Sequence, residues 1–402
     1  MSNYIFDDGK YERLALVAEA FTPSAPVDTL SLFAGRSTQF QDVVTATAQK
    51  GQHVALYGER GVGKTSLANV LAAFYRVNRS IELDSAKINC GTDDTFATLW
   101  TNIFRELGDP LHADSPDDVR FHLARLDQPA IIVIDELDRL EDDDALSLLA
   151  DTVKTLSDHA VPSTLVLVGV ADSIDGLIGE HRSVERALVQ IEMPRMSHAE
   201  LAEIIDKGCA HARLDITSGA RTRIATLSEG LPHFTHLLAL HAGQGAVNDD
   251  RDDVTLGDVV NAIDASVERH SIRSEYQTAT RSPRAAHLFC EVLTACALAR
   301  KDQLGYFAAG AVREPLSKIT GKPMDIPAFA RHLKQFTEEA RGPVLQKVGE
   351  PRRFFYRFAN PLLEPYVILD GLSKGLISQD LLNELRPDDG SSDWTSALRP
   401  LA

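Results

Sequence analysis

The spacing of hydrophobic positions along this chain changes twice. Residues 54–57, 131–134 and 164–168 are unbroken apolar or near-apolar runs, with residues 87–90 and 187–191 as weaker ones. Short runs of this kind, rich in Val and Ile, predict strands buried on both faces of a parallel sheet. Between them lie stretches of helical period: 37–50, Ser66 to Phe74, Thr95 to Leu107, a helix opening at Ser115-Pro116-Asp117-Asp118, and one running to Leu156 behind the acids Glu141 to Asp144. Strands alternating with helices predict an α/β layer with helices on both faces of the sheet. At Ser197 the pattern turns wholly helical. Ser197 and Glu200 form a capping box, Met196 and Leu201 a hydrophobic staple, and apolar residues recur at 201, 204, 205 and 209. No strand signal follows until about residue 276. Beyond it, helices are expected over Arg284–Leu298, Ala311–Thr320 and Ile326–Glu339. Alternating runs at Val344–Val348 and Phe354–Phe358 then flank a turn at Gly349-Glu350-Pro351-Arg352-Arg353.

The junction between the first strand and its helix carries the chemistry. Gly58-Glu59-Arg60-Gly61-Val62-Gly63-Lys64-Thr65 fits G-x-x-x-x-G-K-[ST], with Ser66 continuing the helix. Glycines let successive N–H groups converge on a phosphate chain, and the helix start adds the positive end of its dipole. Lys64 would reach the β- and γ-phosphates of ATP, and the Thr65 hydroxyl would ligate Mg2+. The run Ile131-Ile132-Val133-Ile134 ends in Asp135-Glu136. An acid at the carboxyl end of a central strand stands where ligands of α/β sheets sit. Asp135 is expected to hold Mg2+, and Glu136 to orient and deprotonate the attacking water. Upstream, Leu30 to Arg36 either packs on the adenine or simply leads into helix 37–50.

Composition narrows the setting. A chain of 402 residues has room for two or three domains, and 44% hydrophobic with 25% charged residues is ordinary for a globular protein. A net charge of −17 excludes a general polyanion binder, so any nucleic-acid contact needs a local basic patch. Cys90, Cys209, Cys290 and Cys296 form no C-x-x-C pair and suit reduced thiols. Residues 1–10 lack an apolar leader and no apolar run approaches membrane-spanning length, so a cytoplasmic location without a membrane partner is expected.

The order Gly58–Thr65, Ile131–Glu136, Gly169-Val170-Ala171-Asp172, Glu185-Arg186 and Met193-Pro194 before a capped helix resembles the AAA+ ATPases. Asp135-Glu136-Leu137-Asp138 resembles most the replication-initiator branch, the origin-recognition ATPases and their bacterial relatives in mobile-element and defence systems. The resemblance runs over about residues 30–240, with a weaker echo to about 370. It implies a sensor role for Asp172, where the family usually has Asn. It implies that Arg186, or else Arg182, reaches into a neighbouring subunit's site as an arginine finger. It places His233 at the second sensor position, where the family often has Arg. A neutral histidine there is a weak phosphate ligand, and a protonated one a better one.

The expected organisation is an N-terminal arm (1–30), a P-loop AAA+ core (31–195), a helical lid (196–276), a C-terminal winged-helix domain (277–385) and a flexible polar tail (386–402). Between Ile326 and Phe358, seven basic residues (Arg331, Lys334, Arg341, Lys347, Arg352, Arg353 and Arg357) stand against three acids, Glu338, Glu339 and Glu350. This suits a recognition helix and wing on double-stranded DNA, or a protein-binding winged helix with a solvated face. Two classes of function stay open. One is an ATPase that forms a homo-oligomer on binding ATP, assembles on DNA and recruits or activates a separate effector protein. The other is a signalling ATPase whose oligomer gates a partner without touching DNA.

Overall fold

Each unbroken apolar run is a strand: β1 (His53–Tyr57), β3 (Ala130–Asp135) and β4 (Thr164–Gly169), joined by β2 (Asp84–Asn89) and β5 (Leu188–Glu192). All pair in parallel, in the order β2-β3-β4-β1-β5. The computed structural model describes residues 8–77, 83–170, 184–269, 272–282, 288–302, 305–350 and 353–385. Its contacts divide the chain into Ala25–Pro194 and a second unit made of the residues up to Ser24 and from Arg195 onward.

In the first unit, alternate strand residues serve opposite faces of the sheet. Ala55, Ile132, Ile134, Leu165 and Leu167 join Phe96, Trp100, Ile103, Phe104 and Val153 in one core. Their neighbours Val54, Leu56, Val133, Val166 and Val168 are equally buried and lie outside that core. The helix Lys64–Val77 packs on β3 and β4. Burial on both faces is why the runs carry no polar alternation, and each aliphatic side chain so covered contributes up to about 1.5–3 kcal/mol. The Ser115 cap falls where the sequence puts it: its Oγ accepts from Asp118 N at 3.2 Å ahead of Pro116. Thr95 and Thr98 also form a capping box, and Asp142 caps Asp143–Asp158.

The second unit is mainly helical. The capping box of Ser197 and Glu200 opens His198–His211, which buries Leu201, Ile204, Ile205 and Cys209. The helices Ser218–Leu227, Pro232–Asn248 and Leu256–Arg269 follow. A two-residue parallel pair, β6 (Asp215–Ile216) with β7 (Asp253–Val254), interrupts the expected strand-free stretch. Strands this short leave no period to read. The amino-terminal helix Asp8–Ala20 packs on His198–His211 and Pro232–Asn248. Val17 and Phe21 are fully covered there, and Phe21 lies directly over Gly208.

From 289 on, the helices Phe289–Leu298, Arg313–Thr320 and Ile326–Gln335 precede an antiparallel hairpin, β9 (Leu345–Glu350) and β10 (Arg353–Phe358), with β8 (Phe307–Ala308) on the other side of β10. Three helices and a three-stranded sheet in this order are a winged helix. The helix Leu363–Ser373, buried along nearly its whole length, packs on both Leu256–Arg269 and Phe289–Leu298. It therefore knits the expected lid to the expected winged helix. Its Glu364 is a buried carboxylate between Lys301 Nζ at 2.8 Å and Arg195 Nη1 at 2.9 Å. Burial pushes the Glu364 pKa up, but the two cations outweigh it and hold the group below the usual carboxylate range. Among the described residues, no helix is long and apolar enough to cross a membrane.

Candidate nucleotide site

The phosphate loop leaves β1 at Tyr57 and closes into the helix at Lys64. It rests on the end of β5. Met193 N donates to the Tyr57 carbonyl at 2.7 Å, and a Cβ on Gly58 would come within 2.3 Å of the Met193 oxygen. Only glycine fits that approach. Gly63 sits at φ 99°, a left-handed conformation that side chains rarely adopt. Arg36, 1% exposed, braces the loop from below, donating to the carbonyls of Val62 at 2.9 Å and Pro194 at 2.5 Å. The sequence alone places Arg36 only in a stretch that packs on the adenine or leads into helix 37–50.

Lys64 Nζ donates back into the loop, to the carbonyls of Gly58 at 2.9 Å and Glu59 at 2.8 Å. Burial lowers its pKa to about 8, against the pull of Asp138 and Asp135, which raise it. An ammonium so desolvated is poised to exchange carbonyls for phosphate oxygens. Gly61 and Thr65 are half-buried and Val62 is buried. Arg60 is exposed, with Nη2 3.8 Å from Asp138 Oδ2. The Ser66 hydroxyl accepts from Val27 N at 3.2 Å, which ties the segment before the core to the loop helix.

Asp135 ends β3 at the same level of the sheet. Ile134 pairs with Leu167 and Tyr57 with Gly169, so both acid and loop lie at the carboxyl edge, separated by β4. β1 and β3 are thus about 10 Å apart, two strand spacings. Asp135 Oδ1 accepts from Glu136 N at 2.9 Å. Its Oδ2 is buried without a hydrogen bond and faces Lys87 Nζ at 3.3 Å. That orphaned oxygen fits a cation. No group of three His, Cys, Asp or Glu side chains is placed to cage a metal among the described residues. The residues present suit Mg2+ held by Asp135 and Thr65, with phosphate and water oxygens completing its shell. When bound, the ion would neutralise charge on the transferring phosphoryl group. Glu136 stands in the left-handed region at φ 56°, and its Oε2 accepts from Arg139 Nη1 at 3.0 Å. A glutamate rarely adopts this conformation, which costs about 1–3 kcal/mol and is found at working sites.

Of the other expected site residues, Arg186 lies away from the loop within the same unit. Arg186 precedes β5, whose Leu188 pairs with His53 at the start of β1. It therefore stands at the amino-terminal edge of the sheet, about 15 Å along β1 from the loop. It is exposed and pairs with Asp158 at 2.5 Å. Asp172 and Arg182 fall outside the described residues, as does Arg352. His233 belongs to the second unit, where its Nδ1 meets the Pro23 carbonyl at 2.8 Å. Burial lowers its pKa, a shift that the bond to Pro23 only partly opposes, so the neutral ring prevails at pH 7. Among the seven basic residues of 326–358, Arg341 serves the fold, donating to the carbonyls of Ala279 and Arg281 and stacking 3.4 Å from the Phe289 ring centre. Arg331, Lys334, Lys347 and Arg353 are exposed.

Residues 47–178 match the family described as an AAA domain. No curated protein sequence matches the chain. A structure of Drosophila ORC bound to DNA shares the fold with a TM-score of 0.50 at 15% identity, over 92% of this chain and 94% of that one. The Walker-type ATPase PABY2304 of Pyrococcus abyssi shares it with a TM-score of 0.50 at 16% identity, over 86% and 98%. The phosphate loop, the acid-tipped strand and the parallel sheet that aligns them all fall within or beside residues 47–178, which match the AAA domain family.

Proposed function

We propose that the chain is an ATP-driven switch that assembles into a homo-oligomer, engages double-stranded DNA through 326–358, and recruits or activates a separate effector protein. ATP and Mg2+ bind at Gly58–Ser66 and Asp135, Glu136 activates water, and Asp172 senses the γ-phosphate. Arg186 completes the site of a neighbouring protomer. The resembled branch implies a replication-type, mobile-element or anti-phage defence setting for such a switch.

One observation carries the DNA reading. A chain of net −17 exposes Arg331 and Lys334 on one helix and Lys347 and Arg353 on the adjoining hairpin. The fold shared with Drosophila ORC bound to DNA supports it. Anisotropy titrations of labelled duplexes, with and without ATP across a salt series, test it. The Arg352→Ala, Arg353→Ala double variant should bind all duplexes more weakly, with a salt slope shallower by about two units, one per lost phosphate contact. Binding without salt dependence, or none under any nucleotide condition, rules this reading out.

A second reading is favoured by Val348 and Phe355, 40% and 45% exposed on the same hairpin. Apolar side chains at a wing suit a protein partner, and a signalling ATPase that gates such a partner would use them.

A further inference from the structure

Lys87 belongs to no sequence motif, and the expected nucleotide chemistry does not use it. Lys87 lies on β2 opposite Val133, two residues before Asn89, which pairs with Asp135. Its Nζ donates to Asn69 Oδ1 at 2.6 Å and stands 3.3 Å from Asp135 Oδ2. Asn69 follows Thr65 by one turn on the same face of the loop helix. The ammonium thus bridges the two elements that carry the expected Mg2+ ligands, and it faces the one Asp135 oxygen that accepts no hydrogen bond. It is part-buried, 29% exposed beside an aspartate at 3%, so solvent screens the pair only weakly.

We propose that Lys87 is a resident cation at the metal seat: it balances and aims Asp135 before a divalent ion arrives, and the ion must displace it to bind. This rests on the reading that Asp135 holds Mg2+. A divalent ion on Oδ2 and an ammonium on the same oxygen repel across a few ångströms of low-dielectric interior. The hydrogen bond to Asn69 gives Lys87 a place to withdraw to. The device makes metal binding depend on the phosphates. With Lys87 in place, one carboxylate offers little net charge to a free ion, and the bound nucleotide supplies the rest. Removal of an ordinary structural lysine would weaken the site or leave it unchanged. Removal of Lys87 should strengthen it.

The test uses Mn2+ in place of Mg2+, followed by the electron paramagnetic resonance signal of the free ion, on the full chain saturated with a non-hydrolysable ATP analogue. Lys87→Met and Lys87→Gln should each bind Mn2+ about tenfold tighter than the unmodified chain, whereas Lys87→Arg, which keeps the charge, should match it. Adding Asp135→Asn should abolish the gain. Circular dichroism melts identify the variants that are folded, and the two neutral replacements give independent readings. Unchanged or weaker Mn2+ binding in the folded neutral variants, with Asp135→Asn still weakening binding, overturns the role of Lys87 alone. Unchanged binding in Asp135→Asn overturns the metal reading itself and this proposal with it.

Discussion

Arg36 Nη2 donates to the main-chain carbonyl of Val62 at 2.9 Å, from 26 positions away, inside the loop expected to hold phosphate. A second bond reaches Pro194, where the AAA unit ends. The loop is therefore shaped partly by a buried guanidinium that contacts no expected ligand.

Arg36→Met removes the donor to both carbonyls. Each buried carbonyl left without a partner costs about 1–3 kcal/mol, and a loop no longer pre-shaped binds phosphates less well. Urea unfolding should show a loss of about 2 kcal/mol or more. Titration with a fluorescent ATP analogue should show affinity down about tenfold. Unchanged nucleotide affinity in a folded Arg36→Met protein would separate Arg36 from the site.

Lys64 makes nucleotide binding sensitive to pH. In the free protein its ammonium loses its proton near pH 8, because burial disfavours the charge. A polyphosphate favours the charged form, so binding above pH 8 must draw a proton from solution, and affinity should fall as pH rises through that value. Calorimetry in buffers of different ionisation enthalpy measures the uptake directly. Stability moves the other way. The unfolded chain keeps this proton up to about pH 10.5, so between 8 and 10.5 it binds more protons than the folded chain, and this group's contribution to stability rises with pH. Lys64→Ala should lose ATP binding, while Glu136→Gln should keep it with turnover slowed about a hundredfold or more.

Arg186 stands at the sheet edge opposite its own phosphate loop, and its exposed pair with Asp158 is easily exchanged. A role in a neighbouring site predicts complementation. Arg186→Ala and Lys64→Ala should each be inactive alone and recover part of the ATPase rate when mixed, since mixed interfaces pair an intact loop with an intact arginine. Light scattering with an ATP analogue should show assembly first. Assembly without rescue on mixing would count against a shared site.

Gly208 is held to glycine by packing. A methyl group there would lie 2.3 Å from Phe21 Cε1, and Phe21 is itself 1% exposed. Gly208→Ala should destabilise the protein by about 1–3 kcal/mol in denaturant unfolding, as overpacking does. Phe21→Ala alone should cost about 3–5 kcal/mol, the usual figure for a large core ring. The double variant should cost less than the sum of the two, because alanine fills space the ring vacates. Strict additivity would mean the two residues do not share that space.

The parts legible in the sequence were those whose signal is local. β1, β3 and β4 announced themselves because burial on both faces removes every polar break, and Ser115, Ser197 and Glu200 because caps act within one turn. The loop glycines were readable because backbone shape demands them. Arg36 and Lys87 were not, since each is one charged residue whose meaning comes from partners far along the chain, Pro194 and Asp135. The count of basic residues in 326–358 hid a division of labour. Arg341 spans to Ala279 and stacks on Phe289, contacts that no spacing rule encodes.

The helix Asp8–Ala20 is the first described element to leave the ribosome, yet its packing partners begin at His198, after all of Ala25–Pro194 has been made. At 5–20 residues per second that is a delay of roughly 10–35 s during which Val17 and Phe21 have no native cover. The AAA unit, contiguous in sequence, can finish folding within that time. The helical unit cannot begin to close until synthesis has passed His198, and must then bridge an insertion that has become a folded body. Nascent-chain lengths arrested before and after residue 248 should therefore differ sharply in protease protection of the amino terminus. The order of synthesis makes the nucleotide-binding half the older structure in the life of every copy.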